Sequence, residues 1–256
     1  MHDGPHPTTT RRRMAFADAV FDGRAALEGA EAVRLDTAEA VEPVLATRAA
    51  IPIFVGDLAD LLRVVRPDVL IDARMRKRVR PETQRGLAPL TVGLGPNFVA
   101  GETVDLPVET AWGDDLGRVL RHGAARPLEG EPRSIGGHGR DRYVYSPVSG
   151  VFRTDRAIGE RVQAGMTVAR VDGMPILAPL DGVLKGLVRD RVPVDAGVKV
   201  IEVDPRGPDA VVSGIGERPG RIADGVLAAV LRWAGRRGTA SFPVRPESSR
   251  STGERC

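Results

Sequence analysis

An internal repeat restricts this chain more than any other feature. Residues 146–172 and 178–204 align without a gap at an offset of 32. Pro147 matches Pro179, Gly150-Val151 matches Gly182-Val183, and Val162 matches Val194. Ala164-Gly165 matches Ala196-Gly197, Val168 matches Val200, and Val171-Asp172 matches Val203-Asp204. Glycines stand where turns are needed and valines alternate between them, so each copy reads as short strands joined by tight turns. A copy this short cannot enclose a core alone. The spacing therefore predicts that the two interlock into one small all-β unit over 143–206.

The first half follows a different pattern. Val33-Arg34-Leu35, Ile51-Pro52-Ile53-Phe54-Val55, Val69-Leu70-Ile71-Asp72 and Thr91-Val92-Gly93-Leu94 read as strands. Between them, residues 38–46 and the helical spacing of Leu58, Leu61, Leu62 and Val65 read as helices. Asp57 stands at the N-cap of the second and Pro67 stops it. Strands separated by helices predict one parallel sheet with right-handed crossovers over residues 13–125. Ile222, Val226, Leu227, Val230 and Leu231 predict a helix at about 220–235, within a segment 214–237 that packs back on the α/β part. Residues 1–12 and 238–256 have no periodicity and are expected to be poorly ordered tails.

In a parallel sheet, ligands bind beyond the carboxyl ends of the strands. The candidate binding residues are therefore Asp72, Lys77, Arg78, Gly93, Gly95 and Glu109. Gly93-Leu94-Gly95-Pro96 would let backbone N–H groups approach a phosphate or a pterin, although a tight turn explains it about as well. Asp72 followed by the basic run 74–80 suits a polyanionic cofactor, because guanidinium forks match phosphate oxygens; a solvated loop capped by Asp72 is the plainer reading. Glu109 is the carboxylate best placed for acid–base work, whereas Asp114-Asp115 reads as a helix start facing the positive end of a dipole. No residue is singled out as catalytic and no metal site is expected. His122 and His138 have no partner at ligand spacing, and no serine sits on a G-x-S-x-G elbow.

Composition narrows the function classes. The single cysteine, Cys256, excludes a disulfide framework and a cysteine-built zinc site. No apolar run approaches the roughly 20 residues of a membrane helix. Aromatic residues are 4% of the chain, too few for stacking platforms on single-stranded nucleic acid. The net charge is +3, with three lysines (Lys77, Lys185, Lys199) among 37 basic residues, a bias better explained by genome composition than by nucleic-acid binding. Arg11-Arg12-Arg13 resembles a twin-arginine signal, but Asp18, Asp22 and Arg24 interrupt the apolar stretch that export requires. A cytoplasmic protein, with neither nucleic acid nor membrane as partner, is the expectation.

The duplicated segment resembles the biotinyl/lipoyl barrel-sandwich hybrid. Carriers of that family hold their cofactor on a lysine in the hairpin between the halves. Here that connector is Asp172-Gly173-Met174-Pro175-Ile176, and Lys185 lies elsewhere in the repeat, so no covalent cofactor is expected. A longer ordered set comprises Arg11-Arg12, Phe16-Ala17-Asp18-Ala19-Val20, Asp72-Ala73, Met75, Lys77-Arg78, Gly93-Leu94-Gly95-Pro96, Phe98, Glu109-Thr110, Leu116-Gly117-Arg118-Val119 and Asp204-Pro205-Arg206-Gly207. From about Arg11 to Trp233 it resembles the selenium-dependent molybdenum hydroxylase system proteins, accessory factors of a bacterial molybdenum-enzyme pathway. The resemblance implies an incomplete Rossmann-like sheet followed by the barrel-sandwich hybrid and a C-terminal helix. It also implies a role in maturing a molybdenum hydroxylase, for which a non-catalytic or weakly catalytic accessory protein is the expectation. The enzyme or its maturation machinery would be the partner, with the molybdenum cofactor or a nucleotide as the ligand. Two departures stand out. The chain starts beyond the family's glycine-rich phosphate turn, so it reads as N-terminally shortened, and the family's Arg-Gly-His is Trp112-Gly113-Asp114 here. The alternative is a nucleotide-dependent oxidoreductase or transferase using the α/β cleft.

Overall fold

The computed structural model describes residues 1–76, 79–128 and 132–238. It is a mixed α/β structure with several sheets and a C-terminal helix. Among the described residues no helix is long and apolar enough to cross a membrane.

The first sheet contains β1 (His2–Asp3), β2 (Arg24–Leu27), β3 (Ala30–Leu35) and β4 (Ile51–Val55), in the order β1-β4-β3-β2. β3 and β4 are parallel, while β2 returns antiparallel to β3 through Glu28-Gly29, both at positive φ. α1 (Ala19–Asp22) packs with Ala32 and Ile53. α2 (Val41–Thr47) buries Val41 with Phe54, and α3 (Leu58–Val65) packs the half-buried Leu61, Val64 and Val65 against them. As expected, the Asp57 carboxylate caps α3, accepting from the Ala59 N–H at 2.7 Å.

One parallel sheet was the expectation for this half; the strands divide instead into two sheets. β5 (Val69–Asp72), β6 (Leu90–Leu94) and β7 (Leu106–Val108) form a separate, wholly parallel, three-stranded sheet. The outer edge of β4 is already taken. His2–Asp3 pair with Phe54-Val55, and the Phe54 N–H donates to Met1 O at 2.9 Å. The loose tail expected over residues 1–12 is thus partly a strand. Its end is also fastened: Thr10 O accepts from Leu187 N at 2.8 Å, and Arg12 reaches Leu187 O and Asp18. Backbone pairing of this kind leaves no side-chain periodicity to read. The corresponding tail at 239–256 lies outside the described residues.

The repeat behaves as its spacing predicts. β8 (Tyr143–Tyr145) leads into the first copy, which supplies β9 (Gly150–Arg153), β10 (Arg161–Val162) and β11 (Thr167–Val171). Then come β12 (Met174–Leu177), β13 (Gly182–Leu187), β14 (Pro193–Val194) and β15 (Lys199–Asp204). The copies exchange strands. β10 lies on β13 in a sheet ordered β10-β13-β15-β8, and β14 lies on β9 in a sheet ordered β12-β11-β9-β14. Turn bonds repeat in pairs: Ser146 N to Val198 O and Ala178 N to Met166 O are both 2.8 Å. Phe152 N to Val192 O and Leu184 N to Glu160 O are both 2.9 Å. Phe152, Val168, Val171, Leu184, Val200 and Val203 share one core, so neither copy is closed without the other. The repeated glycines are close approaches. A Cβ at Gly150 would lie 2.6 Å from an Asp172 carboxylate oxygen, and one at Gly182 would lie 2.8 Å from Val203.

α4 (Glu217–Arg236) lies on β6 and β7, where Ile222, Val226 and Trp233 join Leu90, Val92, Val108 and Leu116. It runs through Gly235 rather than stopping there. Gly225 faces Gly117 so closely that a Cβ on Gly225 would collide with the Gly117 carbonyl oxygen. The helix start expected at Asp114-Asp115 is a turn. Gly117 N donates to Glu109 O and Glu109 N to Arg118 O, both at 2.9 Å, and this reversal at Gly117 (φ +85°) leaves no room for a helix.

Candidate functional site

The three-stranded sheet brings four of the six candidate residues to one end. Asp72 closes β5 and pairs in register with Gly93 of β6. Leu94, followed by Gly95, pairs with Val108, followed by Glu109. Lys77 and Arg78 lie outside the described residues.

Each of the four has a local job. Asp72 is buried, and its carboxylate is gripped by Arg74, whose Nε donates at 3.0 Å and whose backbone N–H donates at 3.1 Å to the same oxygen. That hydrogen bond, opposed by partial burial and reinforced by Glu82, raises the Arg74 pKa well above its usual value. Glu82 is pulled down to about 2, first by its hydrogen bond from Arg76 and then by Arg74. Asp72 therefore caps a solvated arginine loop. Gly93 lies under its own loop: a Cβ there would sit 2.5 Å from the Phe98 ring, and Phe98 is buried. Gly95 takes φ +124°, which demands glycine. The loop is fastened by Asn97 N to Ala125 O at 3.3 Å and Ala125 N to Phe98 O at 2.8 Å. Glu109 is buried with both oxygens occupied. One accepts from Thr110 N at 2.7 Å and Ala111 N at 2.8 Å, the other from Arg126 N at 3.0 Å.

Among the described residues these groups do not form a cradle for a nucleotide or a molybdenum cofactor. The glycine gap is filled by Phe98, and both carboxylates would repel phosphate while already spending their acceptor capacity on the chain itself. No three His, Cys, Asp or Glu side chains converge among the described residues either. His138 pairs with Asp141 at 2.6 Å. Replacing Glu109 with glutamine would set an NH2 against backbone donors. Urea unfolding is expected to show a loss of about 2 kcal/mol for Glu109→Gln, the worth of hydrogen bonds to a buried charge.

A second polar constellation was not anticipated from sequence. Glu202 of β15, with no exposed surface, accepts from Arg11 Nε at 2.9 Å and Nη2 at 2.6 Å, from Lys199 Nζ at 3.0 Å, and from Arg142. Burial alone would raise its carboxyl, but the Arg11 hydrogen bonds and the Lys199 and Arg11 charges hold it down at about 2. Lys185 lies 3.5 Å from Asp204, which Arg206 also holds at 2.7 Å; burial, then the Arg11 charge, lowers the Lys185 ammonium. Arg218, in the first turn of α4, donates to Thr110 O at 2.7 Å. Its pKa is lowered by burial and then by the Arg11 charge.

No family model matches the chain. Over 225 residues it is 36% identical to "Uncharacterized protein YqeB" of Escherichia coli (strain K12), a match that covers 88% of this chain and 41% of that protein. The chain thus spans less than half the length of this relative. A crystal structure of succinylglutamatedesuccinylase/aspartoacylase from Rhodobacter sphaeroides matches with a TM-score of 0.22 and 28% identity, over 28% of this chain and 23% of that one. At that score the likeness carries no argument.

Proposed function

We propose that this chain is a non-catalytic accessory protein that binds a molybdenum hydroxylase or the machinery that matures it. In this reading the β unit is a biotinyl/lipoyl-type barrel-sandwich hybrid without a carrier lysine, joined to a Rossmann-like α/β part. The observation that carries the non-catalytic half is the state of Glu109. Its two oxygens accept three backbone N–H groups, which leaves it unsuited to pass protons to a substrate. The strand exchange between the copies supports the hybrid assignment, because each sheet then borrows a strand across the pseudo-twofold. The pathway rests on the ordered residues that resemble the selenium-dependent molybdenum hydroxylase system proteins. Two of them hold the architecture together: Gly93 beneath Phe98 and Gly117 beneath α4.

The test is co-purification. A tagged chain expressed in its own host is expected to retain a molybdenum hydroxylase or one of its maturation proteins, identified by mass spectrometry. In parallel, calorimetry with NAD, ATP and CTP at millimolar concentration is expected to give no binding heat. Saturable nucleotide binding together with an empty pull-down would overturn the proposal and favour the oxidoreductase or transferase reading.

A further inference from the structure

The interlocked copies present two equivalent outer faces, and among the described residues only one is covered. On β13 and β15 that face carries Lys185 and Glu202, both buried. Part of the cover is segment 10–12, where a bend at Thr10 leads into the 3-10 turn Arg12–Met14. Thr10 O accepts the Leu187 N–H, Arg11 pairs with Glu202, and Arg12 Nε donates to Leu187 O at 3.0 Å. Thirty-two residues earlier in the repeat, Lys185 corresponds to Arg153 and Glu202 to Arg170. These two are exposed and stand directly opposite each other across β9 and β11. Like charges in that position destabilise a sheet. Arg170 donates only to Gly173 O at 3.1 Å, and neither arginine has an ion pair among the described residues.

An open groove of about 380 Å³ runs along this bare face, lined by Arg153, Thr154, Asp155, Thr167, Ala169 and Arg170 among others. It is the counterpart of the groove that segment 10–12 fills on the other copy. Asp155 stands where Leu187 receives Thr10, and Thr154, with its hydroxyl turned onto Val168 O at 2.7 Å, stands where Gly186 makes room for Thr10. Beside it on β12, Met174 and Leu177 are exposed, and Leu177 is the register partner of groove-lining Thr167. The two carboxylates of the lining, Asp155 and Asp190, lie 3.7 Å from Arg156 and 3.4 Å from Arg191.

We propose that this groove docks a short acidic segment of a partner protein. The contact repeats the one the chain makes with its own residues 10–12, with the charges exchanged. Glu202 takes Arg11 on one copy; Arg170, at the same place on the other, takes a carboxylate, with Arg153 beside it. Arginine forks suit carboxylates, and the exposed Met174 and Leu177 beside the groove offer apolar contact. Neither the geometry nor the test depends on the pathway to which the partner belongs.

The probe is a fluorescein-labelled peptide with the sequence of residues 8–14 and its three arginines changed to glutamate, titrated into the full chain and read by anisotropy. Saturable binding is expected, weakened about tenfold or more by Arg170→Glu, one lost charge-assisted contact being worth at least that factor. Arg153→Ala is expected to weaken it in the same direction. Arg170→Glu should in turn bind the unaltered arginine peptide in preference to the acidic one. Both positions are exposed, so unchanged thermal midpoints verify that the variants fold. The proposal is overturned by absence of saturable binding, by acidic and basic peptides binding the wild type alike, or by indifference to Arg170→Glu. Displacement by oligothymidylate as effective as by unlabelled peptide would also overturn it, marking a nucleic-acid surface instead.

Discussion

Gly225→Ala is expected to undock α4 and cost about 3 kcal/mol or more in urea unfolding, at the upper end for overpacked sites. In an unobstructed helix the same change would stabilise by about 1 kcal/mol, since glycine is a poor helix former. The sign is reversed because the added methyl meets backbone, not a yielding side chain. It collides with the carbonyl oxygen of Gly117 and comes within 3.2 Å of Val108 Cγ1. Gly117 has no freedom to retreat: its φ is +85°, and a Cβ on it would in turn strike the Arg221 carbonyl. Gly235, ten residues along the same helix, has nothing within 4 Å of the equivalent position. Gly235→Ala should therefore be neutral or stabilising by up to about 1 kcal/mol. Opposite signs from two identical substitutions in one helix would isolate the backbone contact as the cause.

Glu202→Gln is expected to cost about 3–5 kcal/mol, because it leaves Arg11, Arg142 and Lys199 around a neutral amide where they had a carboxylate. The charge also makes stability depend on acid. The folded carboxyl titrates at about 2 and the unfolded one near 4.5, so the group's contribution is complete above the unfolded value and disappears as pH falls through the folded one. Over that window the wild type should lose about 3 kcal/mol from this group. Glu202→Gln should lack that part of the slope, and the two curves should converge at the acid end. The equivalent change on the other copy, Arg170→Gln, touches an exposed side chain and should stay within about 0.5 kcal/mol of wild type at any pH.

The legible and illegible parts of this chain separate along physical lines. Asp57, Val69–Asp72, Leu90–Leu94 and the repeat were readable because capping, apolar runs and turn glycines are local signals. The partition into two sheets was not, since the edge of β4 is taken by His2–Asp3, a two-residue strand too short to carry a periodic signal. Gly93 and Gly117 read as phosphate-turn and family markers, yet what requires glycine there is a ring and a helix arriving from elsewhere in the chain. Asp72 and Glu109 were placed correctly at the strand ends, but a sequence does not reveal that their oxygens are consumed by Arg74 and by the backbone of residues 110, 111 and 126. The Glu202 constellation had a signal that matching residues concealed. It lay in the mismatches of the repeat, where Arg153 and Arg170 in one copy become Lys185 and Glu202 in the other.

Everything said about the two outer faces depends on the copies exchanging strands. Cross-strand NOEs between backbone protons, α protons included, test this directly, and they should connect Arg161 with Val183 and Val151 with Pro193. Contacts confined within each copy, with Arg161 near Val151 and Pro193 near Val183, would contradict it.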